Sequence, residues 1–385
     1  MIEPYYRALL DESHVLFHES CRRFADQEIA PEAAAWDETG SFPRELYAKA
    51  GEAGILGAVF PEPYGGGGGD PFHLILGVEA LMSAGVAGVV AGLGSAGIAL
   101  PPIVSLGTEE QKCRFLPPVL RGERIAALAI TEPGTGSDVA GIKTRARRDG
   151  DAYLLDGEKT FITSGVRADL VTVLARTGES PHGGLTFFVV ERGTPGFSVS
   201  GSLKKMGWRA SDTASLSFDG CRVPAENRLG DEGAGFRACM QNFQMERLTL
   251  AAYGYASAEV ALAEAECHAR ARSAFGRPLS GFQVTRHKLA RMATQTRAAK
   301  SFVYLVADAM RRGLGALEEV SEAKNFASLV ALDVCNEAVQ ILGGMGYMQG
   351  TIVERLYRDV RVLPIGGGTV EVMNEVIAKV RGYGS

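Results

Sequence analysis

The chain has 385 residues, 46% hydrophobic and 22% charged, which excludes a disulfide-stapled miniprotein or a largely disordered protein and leaves room for two or three domains. Lysine plus arginine number 40 against 45 acids, and the net charge of -5 speaks against a basic groove for nucleic acid or an anionic membrane. Six cysteines with no CxxC pair exclude a zinc ribbon and read as free thiols.

Taken in chain order, residues 1–123 form a helical domain. His18, Cys21, Phe24 and Ile29 recur at roughly helical intervals, and Thr108-Glu109-Glu110-Gln111 is a capping box that opens another helix. The first twenty residues carry acids and no apolar signal core, so a cytoplasmic location is expected. The apolar stretch near Ala84–Pro102 is broken by five glycines and reads as packed helices, with no membrane span. Gly65–Gly69 lacks the Lys-Ser/Thr of a phosphate loop and reads as a flexible loop. His14 and His18, four apart with no HExxH pattern, read as surface or interhelix residues, and no metal site is expected.

Residues 124–230 change to short β-branched or alternating runs, Ala127–Thr131, Tyr153–Leu155, Val171–Ala175, Leu185–Val190 and Ala214–Phe218, separated by turn pairs such as Asp156-Gly157. Residues 231–385 return to helical period, with long runs at Phe236–Arg272, Gln283–Arg312 and Glu319–Gln340 and a last helix after Thr369. Around Ser137 the chain reads Thr-Gly-Ser-Asp-Val, which is no GxSxG elbow. The whole run Ile130–Asp138 follows a short apolar strand and offers amides and hydroxyls to a flat heteroaromatic or a phosphate, although its composition also suits an ordinary structured loop.

That run, with Asp156–Thr163 twenty residues on, resembles the flavin loop and following strands of the acyl-CoA dehydrogenase family. The resemblance continues through Lys205-Met206-Gly207-Trp208, Asn227-Arg228-Leu229-Gly230, Phe275-Gly276, Gly343-Gly344 and Gly368-Thr369, in family order over nearly the whole chain. It implies an α+β multidomain fold: an N-terminal helical domain, a middle β-barrel domain and a C-terminal four-helix bundle. It also implies FAD as cofactor, an acyl-CoA or acyl carrier protein thioester as substrate, electron-transfer flavoprotein as acceptor, and a homodimer or homotetramer.

Carried over residue by residue, the resemblance assigns Leu128, Ile130, Thr131, Gly136 and Ser137 to the flavin or thioester, and Phe161 and Thr163 to the border of the isoalloxazine. It gives Arg272, Phe275 and Gln283 to FAD across a dimer, Gln340, Gly343 and Gly344 to the pyrophosphate, and Thr369 and Glu371, which open the last helix, to the anionic cofactor at that helix's N-terminus. Many members place the catalytic carboxylate in a Tyr-Glu-Gly-Thr string, but here the string is Gly366-Gly367-Gly368-Thr369. A minority, including isovaleryl-CoA and long-chain dehydrogenases, resembles this chain in placing Glu before Arg in the long helix after the β domain, where Glu246-Arg247 stands. The expected base is therefore Glu246, with the Gly367 N–H polarising the thioester and Phe243, Gln244, Arg247, Ser137 and Gly366 about the substrate. The two missing side chains suggest room for branched or long acyl groups. Rival readings are a flavin-dependent oxidase or hydroxylase of the same fold, which the complete Thr-Glu-Pro loop disfavours, and a regulatory nucleic-acid-associated flavoprotein, which the acidic balance disfavours.

Overall fold

The computed structural model describes residues 3–383. The N-terminal helices include α1 (Glu12–Phe24), α2 (Glu45–Glu52), α3 (Pro71–Met82) and α4 (Glu109–Leu120). Asp11 and Asp70 cap α1 and α3, and the Thr108 box caps α4 as its sequence requires. Gln111 of that box also donates to Glu226 O at 2.6 Å and Arg228 O at 2.8 Å, fastening the helical part to the sheet. His14 and His18 are buried between helices, His14 Nε2 lying 2.9 Å from Asp70 Oδ1. The apolar stretch after Ala84 forms three short helices, Ala87–Leu93, Ser95–Ala99 and Pro101–Leu106. Among the described residues no single helix is long and apolar enough to cross a membrane.

The middle of the chain is one sheet of eight strands: β1 (Ala126–Ala129), β2 (Arg145–Asp149), β3 (Ala152–Thr163), β4 (Leu170–Arg176), β5 (Leu185–Glu191), β6 (Phe197–Val199), β7 (Thr213–Pro224) and β8 (Arg228–Leu229). Their order is β6-β7-β3-β2-β4-β5-β8, with β1 parallel on β4. Two expectations are corrected here. Asp156-Gly157 is no turn: it lies inside β3 at a register shift, where Gly157 has φ +145° and a Cβ would stand 2.7 Å from Thr144 Cα. Gly65–Gly69 is no flexible loop: Gly67, Gly68 and Gly69 donate to Gly57, Phe60 and Ala58 carbonyls at 2.8–2.9 Å, and a Cβ on Gly66 would meet Phe60 O at 2.1 Å. Strand β2, four charges in five residues with one buried side chain, carries no apolar alternation and was not foreseen.

The C-terminal part packs α5 (Gly235–Ala271), α6 (Gln283–Arg311), α7 (Leu317–Leu342) and the last helix α9 (Val370–Val380), with the short α8 (Ile352–Asp359) between the last two. A buried polar knot joins it to the N-terminal helices: Glu79 of α3 pairs with Lys300 of α6 at 3.0 Å and accepts from Tyr255 and Tyr304 hydroxyls at 3.1 and 2.9 Å. Helix α5 thereby lies between the sheet on one side and α3 and α7 on the other.

Candidate active site

The front half of α5 carries Phe236, Cys239, Met240 and Phe243 at helical spacing, and these pack in one apolar cluster with Leu128 and Ile130 of the β1 edge. Three residues on, Glu246 is half-buried, and its Oε2 is buried with no hydrogen-bond partner among the described residues. Burial pushes its carboxyl up to about 7, against the opposing pull of Arg247 and Lys324. A carboxylate with an unsatisfied oxygen in an apolar pocket is poised to take a proton.

The glycine triplet closes over this carboxyl. Gly367 and Gly368 have φ +64° and +101°, and a Cβ on Gly367 would lie 2.4 Å from Leu250 Cδ1 and 3.6 Å from Glu246 Oε1. A side chain at 367 is therefore strained and displaces Leu250, so this loop conformation and a base on α5 belong together. Gly366 differs: its Cβ would meet nothing nearer than Val362 O at 3.7 Å. Arg247, almost fully buried, donates Nε to Gly367 O at 3.3 Å, and Lys324 of α7 donates Nζ to Gly368 O at 2.5 Å. Thr369 Oγ1 caps α9 by accepting from Val372 N at 3.2 Å, and Glu371 stands exposed in its first turn.

The loop Ile130–Asp138 is held from beneath. Lys159, with no exposed surface, donates to Ile130 O at 2.8 Å and Glu132 Oε1 at 3.0 Å, while Glu132 accepts from the amides of Lys143 and Thr144 at 2.8 and 2.9 Å. Thr160 N donates to Thr131 O at 2.9 Å, which ties the loop to a second register shift in β3. There Phe161 adopts φ +59° and is 69% exposed, a strained aromatic standing out between the buried Thr160 and Ile162. Gly136 and Ser137 are exposed on the same loop, and Thr163 pairs with Thr213. An exposed aromatic shelf, an apolar wall from Leu128 and Ile130, and free loop amides and hydroxyls fit the flat ring of a flavin.

Other assigned residues lie elsewhere. Arg272 follows α5 and is 26 positions beyond Glu246, about 39 Å along the helix at 1.5 Å per residue. Phe275, 96% exposed with φ +51°, lies beside it. Gln283 lines a surface cavity of about 500 Å³ with His287, Lys288, Arg291 and Glu337, and Gln340, Gly343 and Gly344 are exposed just beyond Glu337. Arg272 therefore lies far from the pocket around Glu246 in the same chain.

Four residues carry no sign of their role in the sequence pattern around them or are not singled out by it: Glu132 and Lys159 as a pair, Leu250, and Lys324. Lys324 was readable as the one cation on the stripe Val320, Ala323, Ala327, Val330, Ala331 and Val334, which is the buried face of α7.

A second cavity of about 510 Å³ runs from the α5 face of Asn242, Met245, Thr249 and Tyr253 between the short helices and α3. Gly94 and Gly97 face it, and a Cβ on Gly97 would meet nothing within 4 Å. Its lining is mostly aliphatic, as a hydrocarbon chain requires.

Known proteins resemble the chain over nearly its whole length. The families described as acyl-CoA dehydrogenase N-terminal, middle and C-terminal domains match residues 11–123, 127–221 and 233–381. The chain is 40% identical over 371 residues to an acyl-CoA dehydrogenase of Bacillus subtilis, covering 96% of this chain and 97% of that one. It is 38% identical to the mitochondrial long-chain specific acyl-CoA dehydrogenase of Sus scrofa, covering 97% and 87%. Among solved structures, a probable acyl CoA dehydrogenase from Mycobacterium abscessus superposes with a TM-score of 0.95 at 50% identity, covering 97% and 99%.

Proposed function

The chain belongs to the acyl-CoA dehydrogenase family, whose members carry out FAD-dependent α,β-dehydrogenation of acyl-CoA thioesters, and we propose that in this member Glu246 is the base and the acyl group is long. The observation that carries the base assignment is the buried, unpartnered Glu246 Oε2 beneath a loop whose own position 367 holds no carboxyl.

Bound FAD, whose ring the Phe161 shelf with Leu128, Ile130 and Thr131 would hold, supplies the acceptor for the β-hydrogen and its electron pair. The protein's part is the other half of the reaction. Glu246 takes the α-proton onto its carboxylate, and the electrons of that C–H bond become the α,β double bond. The Gly367 N–H donates to the thioester oxygen, where negative charge grows as the proton leaves. The apolar cluster of Phe243, Leu128 and Ile130 excludes water from the reacting carbons. Gln244, half-buried two positions before Glu246, is the proposed contact to the thioester carrier, and electron-transfer flavoprotein is the proposed acceptor of the reducing equivalents. The testing experiment is anaerobic bleaching of the yellow enzyme by acyl-CoA alone; a flavin that stays oxidised with every chain length contradicts this reading.

The cavity along α5 supports a long chain. At about 30 Å³ for a water-sized group it holds on the order of 15 such groups, and the open side of Gly366 leaves room for a branch near the reacting carbons. Gly97→Leu fills the cavity without touching Glu246. Displacing two methylenes costs about 1.6 kcal/mol, so kcat/KM for a sixteen-carbon chain relative to an eight-carbon chain falls about 15-fold. An unchanged ratio would mean that the chain lies elsewhere.

The cluster of Arg272, Phe275, Gln283, Gln340, Gly343 and Gly344 is assigned to the FAD site of a neighbouring subunit, because Arg272 lies too far along the helix from its own Glu246. Co-expressed Glu246→Gln and Arg272→Ala subunits then regain activity that neither variant has alone; hybrids no more active than the better parent contradict a shared site.

A further inference from the structure

The glycine triplet is the most flexible tripeptide near the site, yet it is the segment that must hold still beside Glu246. Glycine loses more backbone freedom on ordering than any other residue. Backbone bonds steady the edges of the loop, Gly366 N to Val362 O at 2.8 Å and Val370 N to Pro364 O at 3.1 Å. Its centre is held differently, by two cations on the carbonyls of Gly367 and Gly368. The Arg247 contact is long at 3.3 Å, and the Lys324 contact is short at 2.5 Å.

Lys324 has no exposed surface and, among the described residues, no carboxylate within ion-pair distance. A desolvated ammonium without a counter-ion in contact is unfavourable, and a neutral amide donor could staple one carbonyl without that cost. The charge itself therefore needs a reason. The groups facing it are Arg247 and Glu246 from α5 and Glu371 from α9. Burial, with Arg247 adding to it, brings the ammonium down to about 8, so it remains cationic at neutral pH while Glu246 ionises.

We infer that Lys324 is a positioning residue for the dehydrogenation: by clamping Gly368 O it fixes the glycine loop so that the Gly367 N–H and the Glu246 carboxylate address the same thioester, and its charge stabilises the anionic carboxylate. This rests on the reading of Glu246 as the base. Pinning the peptide planes that follow Gly367 removes the rotations that would swing its N–H away, and a cation behind the loop favours negative charge on the substrate side.

The test uses the FAD-loaded enzyme and the variants Lys324→Met, Lys324→Gln and Lys324→Arg. Three quantities are read: amide hydrogen exchange of residues 366–369, anaerobic flavin reduction as rate and substrate Kd separately, and the pH dependence of that rate. In Lys324→Met the loop amides exchange at least ~10-fold faster. Reduction slows about 10–100-fold while Kd moves less than about 3-fold, and the acid limb shifts above its wild-type position near 7. Lys324→Arg recovers most of the rate. Lys324→Gln, which keeps a donor but no charge, restores loop protection without restoring the acid limb, and it serves if the Met variant loses FAD. Wild-type loop exchange together with an unmoved acid limb in both neutral variants overturns the inference, even if their rate falls. A near-normal Glu246→Gln enzyme contradicts the base assignment and leaves the loop-exchange result to stand separately.

Discussion

Glu246→Gln slows flavin reduction by acyl-CoA about 10²–10⁴-fold, the span for losing a general base, while FAD content and substrate Kd stay near wild type. In the wild type, reduction rises with pH through about 7, because burial holds the carboxyl protonated below that value and only the carboxylate can accept the α-proton. The same shift has a consequence for stability. The folded-state value is raised above the unfolded one, so the favourable contribution is complete below about 4.5 and is lost as pH rises through about 7. Glu246→Gln cannot ionise, and it therefore melts higher than wild type at pH 8 but not at pH 4. Near-normal single-turnover reduction in the variant would make Glu246 structural, and a melting difference independent of pH would mean that its burial does not control its ionisation.

Lys159→Met destabilises the protein by about 3–5 kcal/mol, the cost of removing one partner from a buried ion pair, and releases FAD on purification. Lys159 has no exposed surface and Glu132 only 7%, so the abandoned carboxylate cannot turn to water. Nor can it discharge easily: against the upward push of burial, the Lys159 charge and the amides of Thr144 and Lys143 hold it below its usual range, and those amides remain in the variant. Glu132→Gln is expected to be milder, because burial already brings Lys159 down to about 8 and a lysine left alone can lose its proton. Thermal melting and flavin absorbance per chain measure both variants. A Lys159→Met protein with wild-type melting and full FAD would show that the loop Ile130–Asp138 holds its shape without this latch.

These expectations draw on two kinds of information. The helical runs of the C-terminal part appear in the structure within a few residues, Gln283–Arg311 and Leu317–Leu342 among them, because a long 3.6-residue periodicity records which face is buried. The Thr108 capping box was equally legible, since its hydrogen bonds close within four residues. The family motifs, too, are strings along the chain, and the empty position 367 could be read directly against them.

What escaped the sequence depends on groups that meet across elements. Gly157 looks like half of a turn pair, but it sits at a register shift within β3, with Thr144, the residue just before β2, packed against it. Gly65–Gly69 looks flexible until Ala58 and Phe60 supply its hydrogen-bond partners. Lys159 and Glu132 are 27 positions apart, and Lys324 and Gly368 are 44 apart, so neither bond leaves a periodic trace. The sequence alone determined the long C-terminal helices and the family, and it nominated Glu246, because these rest on local pattern. Only the tertiary structure decided that Glu246 is desolvated, that a side chain at 367 would strike Leu250, and that two buried cations hold the loop. Burial and electrostatic strength depend on which atoms displace water around a group, and that is set by packing between segments distant in the chain.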